Sequence, residues 1–278
     1  MNPERLAIFA NIQQAITALL TTYEGEFIRF GYGLFMSFAT ILISWHGIRM
    51  AFTGGDSDDN LFGFARLLLS TSIAYSMIAF YESPIPGVGV SFSNLLTDQA
   101  HYFATILDAR SLEDVLTHLD ELWAKFVQPD PWSLLATLQY WALLIVLALA
   151  KIATLAIVAF GLIASAVCAL VGPIFVPFIL IQPLDWMFWG WFKSFAQFSF
   201  MPVIAFAYLR IGERFIYQYV TALPSGITED LYLLYCMQAI VVIATFVVGI
   251  FLIPSLTSSI FSGHAGQSVL PDRLVLRR

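Results

Sequence analysis

The sequence predicts an all-α, polytopic helical membrane protein with five transmembrane segments, or six, an N-terminal amphipathic helix and one helical extracytoplasmic loop. Three observations predict it. Of 278 residues, 59% are apolar and only 12% charged, against about 45–50% and about 25% in soluble domains. Mean hydropathy is +0.80. The apolar residues also gather into runs of the roughly 20 residues that cross about 30 Å of hydrocarbon. So little charge excludes disorder, coiled coil and a nucleic-acid-coating surface, and an ordinary soluble enzyme could not hide this much apolar surface from water.

Residues 1–26 hold the amphipathic helix. Pro3 and Glu4 suit a first turn, and Phe9, Ile12, Ile16, Leu19 and Leu20 recur at helical spacing, with Asn11, Gln13, Gln14 and Thr17 off that stripe. Glu4 and the polar residues interrupt any apolar core, so a cleavable signal is not expected. The polar face carries almost no basic residue, which favours packing on protein over lying on a bilayer. A transmembrane hairpin is expected over 27–81, its spans at about 27–52 and 61–81, joined by the polar turn Thr53-Gly54-Gly55-Asp56-Ser57-Asp58-Asp59-Asn60.

The loop 82–133 opens with Pro84, Pro86, Gly87 and Gly89 and closes with Pro129 and Pro131. Inside it Leu112, Val115, Leu116, Leu119, Leu122 and Phe126 draw a helical stripe, with Asp114, His118 and Glu121 off it. Acidic residues there (Glu82, Asp98, Asp108, Glu113, Asp114, Asp120, Glu121 and Asp130) far outnumber Arg110 and Lys125.

The transmembrane core is expected over 134–253. Leu134 to Ile181 holds a single charge, Lys151, yet one helix of that length would be far longer than a bilayer is thick. Two spans, or one long span with a re-entrant segment, are therefore expected, broken at Gly172-Pro173 or at Gly161. Further spans follow at about 186–211 and 231–253, the last ended by Pro254. The tail 254–278 contains Ser262-Gly263-His264-Ala265-Gly266 and the basic residues Arg273, Arg277 and Arg278. Basic residues favour the cytoplasm, so the tail is expected inside, and the acidic loop and the N-terminus outside.

No nucleotide-binding glycine loop, nucleophile elbow or paired metal-ligand motif occurs, so neither an enzyme, a cofactor nor a metal site is expected. His46, His101, His118 and His264 are scattered, and Asp56, Asp58 and Asp59 read as a solvated turn. Cys168 and Cys236 lie in apolar runs and read as small buried hydrophobes. Lys151, some 17 residues into its run, is expensive in lipid and must meet a water-filled space, a carboxylate or backbone carbonyls. Asp185, after Pro183, is placed to cap the next helix. Trp186, Trp189, Trp191 and Lys193 read as membrane-interface anchors.

The run Gly172-Pro173-Ile174-Phe175-Val176-Pro177, then Pro183, Trp186, Phe188, Trp191 and Phe192, and Pro202 in the next span, resembles the TrbL family of polytopic inner-membrane components of type IV secretion and conjugation machines. The external N-terminus, two early spans, following loop and the Ser-Gly-His-Ala-Gly tail agree. Where many relatives carry arginines between proline and tryptophan, this chain has Leu184 and Asp185.

The resemblance implies a channel or platform subunit in the inner membrane of a Gram-negative bacterium, supporting DNA or protein transfer and pilus growth. It implies a homo-oligomeric ring, most simply a pentamer, beside other platform and pilus or stalk subunits, with membrane lipid around it and DNA or protein as transient cargo. Lys151, Gly172, Pro173 and Pro177 are the expected channel or subunit contacts. The alternative, a secondary transporter or ion-coupled permease, would require internally repeated halves and mid-span carboxylates, and neither is found.

Overall fold

The computed structural model describes residues 3–53, 58–95, 102, 110–129, 132–224 and 229–262. Among them there is no strand. The long helices among the described residues are α1 (Pro3–Thr53), α2 (Asp58–Ala79), α3 (Arg110–Lys125), α4 (Leu134–Phe175), α5 (Asp185–Ala222) and α6 (Glu229–Ser262). Two short 3-10 helices, Val176–Leu180 and Gln182–Leu184, link α4 to α5. All but α3 are long and apolar enough to cross a membrane. The expected tail beyond Ser262, the 54–57 turn, and His101, Asp98, Asp108, Asp130 and Pro131 lie outside the described residues.

Two element boundaries differ from the sequence reading, and of the two breaks expected in the Leu134 run the one at Gly172-Pro173 is found. The amphipathic segment and the first span form one helix, α1. A lone Gly25 costs a helix only about 1 kcal/mol, and nearby Thr21 and Thr22 bond back to the carbonyls of Thr17 and Ala18 at 2.9 and 2.7 Å. The Leu134 run is a single helix of 42 residues, about 63 Å long, with no break at Gly161. Finally, Pro254 lies inside α6, which continues to Ser262. In apolar surroundings an interior proline orphans one carbonyl, whereas ending the helix there would orphan four.

The chain divides into two compact units, Met1–Gln99 with Ile163–Ser199, and Ala100–Leu162 with Phe200–Arg278. In the first, α1 and α2 form an antiparallel hairpin. Phe35 meets Tyr75 at 6.0 Å between ring centroids, and further along α1 His46 stacks on Phe64 at 5.6 Å. After α2 the chain folds back on itself, Phe92 and Ser93 donating to the carbonyls of Phe80 and Tyr81. The core of this unit joins Phe35, Ala39, Ala74 and Ile78 to Val176, Leu180, Phe188 and Phe195.

In the second unit α5 and α6 run antiparallel. Tyr208 stacks on Phe246 and donates to its carbonyl at 3.0 Å, and Tyr219 donates to the Tyr235 carbonyl at 3.1 Å. Gly161 of α4 faces the ring of Pro202 in α5, where a Cβ would lie 3.0 Å from Cδ. α3 presents the stripe expected from its sequence: Val115, Leu116, Leu119, Leu122 and Phe126 are all buried. Beyond its end, Phe126 packs edge-on against Tyr232 of α6, whose hydroxyl donates to the Val127 carbonyl at 3.1 Å.

Candidate functional site

The Gly172-Pro173 pair lies in the last turn of α4. A proline there has no N–H for the carbonyl four residues back, that of Ala169. Pro177 likewise cannot donate to Pro173 and disfavours helical geometry at Val176. The α-helix accordingly ends at Phe175 and tightens into the 3-10 turn, with Pro177 in its first residues.

The carbonyl orphaned by Pro173 is satisfied from a distant part of the chain. The Tyr81 hydroxyl, fully buried just past the end of α2, donates to the Ala169 carbonyl. One residue earlier, the Trp191 indole donates to the Cys168 carbonyl at 2.8 Å.

Both donors approach because residue 172 has no side chain. A Cβ at Gly172 would overlap the Tyr81 hydroxyl and meet the Trp191 ring. On the other side, Pro173 lies so close to Gly31 of α1 that a Cβ there would overlap its carbonyl. Phe175 stacks on Trp191, and Phe178 meets Phe38 of α1 edge-on at 5.6 Å. Gly172, Pro173 and Pro177 are thus all buried in one joint, where α1, α2, α4 and α5 meet around a helix end.

The four expected anchors separate. Trp186 and Trp189 are 65% and 55% exposed, and Lys193 is exposed. Trp191 is 6% exposed and belongs to the joint. Residues 186 and 189 share a helical face, while 191 is turned by more than half a revolution from 189. The indole's N–H goes to a protein carbonyl instead of a lipid–water boundary. Asp185 is the first residue of α5, where its charge complements the helix dipole.

Lys151 belongs to the other unit. Its ammonium pairs with Asp120 of α3 and sits 5.9 Å from the centre of the Trp123 ring. Beside this pair α3 carries a second set of charges. Asp114 lies 3.8 Å from Arg210 of α5, and Arg210 bonds Glu213 at 3.0 Å. His118 lies 3.0 Å from Glu121, 3.7 Å from Glu213 and 5.1 Å, ring to ring, from Tyr217. Charged and polar side chains therefore fasten α3 to both α4 and α5.

Tyr81, Gly31 and Asp120 were not singled out from the sequence. A proline in an apolar helix signals that a donor is needed, but no spacing says which distant residue supplies it. Among the described residues no cluster of metal-ligating side chains occurs, and Cys168 and Cys236 are free thiols.

A family described as TrbL/VirB6 plasmid conjugal transfer protein matches residues 39–254, which include α2 through most of α6 and the joint apart from Gly31 and Phe38 of α1. No curated protein matches the chain.

Proposed function

The chain belongs to the TrbL/VirB6 plasmid conjugal transfer family, and we propose that it serves as an inner-membrane channel or platform subunit of a type IV secretion system. In this reading several copies form a ring, pentameric in the simplest case. They stand beside the other platform and pilus or stalk subunits and support pilus assembly and passage of DNA or protein. The host is a Gram-negative cell, and the acidic α3 region faces away from the cytoplasm.

The observation that carries the reading is the family match over residues 39–254, which reaches into all five apolar helices. The joint supports it. Its polar atoms are committed to holding helix ends together, which suits a subunit that assembles and encloses. Five crossings also put the two ends of the chain on opposite sides of the membrane. Lys151, Gly172, Pro173 and Pro177 then act from within the subunit, as the contacts that set the shape its neighbours meet.

The test is conjugal transfer from a donor lacking this gene. Wild-type chain supplied in trans should restore transfer. Pro173→Ala should insert at the same level yet lower transfer at least about tenfold, because a restored backbone donor to the Ala169 carbonyl competes with Tyr81 and loosens the joint. Unchanged transfer in the deleted donor would overturn the proposal.

A further inference from the structure

The outward side chains of α4 are apolar along most of its length. Leu134, Leu138, Trp141, Ile145, Phe160 and Val167 are all exposed and share one face of the helix. From Leu134 to Val167 that face is about 50 Å long. Hydrocarbon is about 30 Å thick, and a helix tilted by 40° still needs only about 39 Å to cross it. Part of the face therefore lies beyond the acyl chains, and the composition of α4 does not say which part.

The neighbours of α4 decide it. Between Lys193 and Arg210, α5 carries no charge for about 26 Å, close to one hydrocarbon thickness. Past that stretch come Arg210, Glu213, Arg214 and Gln218, the last two exposed. α3 runs beside this polar end of α5 in the same direction. Asp114 lies 3.8 Å from Arg210, His118 lies 3.7 Å from Glu213, and Phe126 meets Tyr232 near the start of α6. α3 also runs along the first part of α4, where the Trp123 indole donates to the Tyr140 hydroxyl at 3.4 Å and Asp120 pairs with Lys151. On its outward side α3 exposes Glu113 and Glu121, and carboxylates are costly in hydrocarbon. The helix that needs water is thus packed along the very part of α4 that precedes Lys151, about 26 Å of it.

We propose that α3, α4 from Leu134 to Lys151, α5 from Arg210 onward and the start of α6 form a four-helix domain outside the bilayer. The charges from Asp114 and Arg210 to Asp120 and Lys151 are its base, set at the phospholipid headgroups. Hydrocarbon then surrounds α4 only beyond Lys151, over about 36 Å to Phe175, which fits one tilted crossing. Lys151 stands at headgroup level and lines no mid-membrane path. The inference rests on the chain's crossing a membrane and is independent of the role in secretion.

The test uses the full-length chain, with Cys168 and Cys236 replaced by alanine, in lipid nanodiscs. A bimane fluorophore is attached in turn through Leu138→Cys, Ile145→Cys, Phe160→Cys and Val167→Cys, four positions on the one face. Lipid brominated on its acyl chains should dim the probes at 160 and 167 about twofold, because they lie in hydrocarbon, and leave those at 138 and 145 unchanged. A second measurement needs no label. Ile145→Lys should accumulate in the membrane at the wild-type level, whereas Phe160→Lys should fall at least about tenfold.

Quenching at all four positions would overturn the assignment and put α3 beside a water-filled cavity at hydrocarbon depth. Quenching at none, or equal loss of the two lysine variants, would overturn it as well. A donor that still transfers DNA without this gene would refute the secretion role and leave the domain's placement intact.

Discussion

Ala169 has a carbonyl whose usual partner is missing because residue 173 is proline, and Tyr81, just past the end of α2, supplies the replacement. Leaving such a group unpaired inside a protein costs about 1–3 kcal/mol. Tyr81→Phe should therefore lower the thermal stability of the detergent-solubilised protein by an amount in that range. Pro173→Ala restores a backbone donor to the same carbonyl, so the double variant should lose less than the two single losses added together. Strict additivity would mean that the hydroxyl and the proline are not coupled through Ala169. Gly172→Ala should be the more damaging change, because its methyl group overlaps the Tyr81 hydroxyl and meets the Trp191 ring. The sequence named Gly172, Pro173 and Pro177 and placed the distortion there. It could not name Tyr81 or Gly31, since contacts between helices have no linear spacing, and it put Trp191 with the exposed tryptophans because composition alone does not resolve helical phase.

Helices were legible where one face alternates in character and less so where it does not. The stripe from Val115 to Phe126 has clear period and is buried as that period requires. The Leu134 run is apolar on all sides, so neither its continuity nor its register could be read from it. Proline misled at Pro254 and informed at Pro173. The difference is that Pro177 follows Pro173 within a turn and removes a second donor, while α6 has no second proline after Pro254. For α3, the contact absent from the sequence reading was Asp120, which meets Lys151 across 31 residues. Both side chains are partly exposed, so the pair's contribution is screened by solvent and is expected to be modest. Its reversal should still be visible. Asp120→Lys places two cations together and should make α3 more susceptible to protease in detergent, and adding Lys151→Asp should return it to wild-type resistance. Equal susceptibility in all three proteins would show that the apolar stripe alone holds α3.

Across the whole molecule, the charge distribution and five helices long and apolar enough to cross a membrane predict a sidedness that labelling can test. In a background with Cys168 and Cys236 replaced by alanine, a cysteine at Glu113 should react with an impermeant thiol reagent on spheroplasts. One at Ser268 should react only after the membrane is opened, and the reverse pattern would invert the topology. Stoichiometry is not legible in the sequence, because a face that another copy covers looks, within one chain, like any other exposed surface. The central claim is that this protein works by assembling and enclosing, as a repeated subunit of a conjugal transfer machine. The most direct test is the mass and symmetry of the particle extracted in mild detergent from cells carrying the full system. A closed ring of several copies, five in the simplest case, is the predicted result, and a monomer or an isolated twofold pair would contradict it.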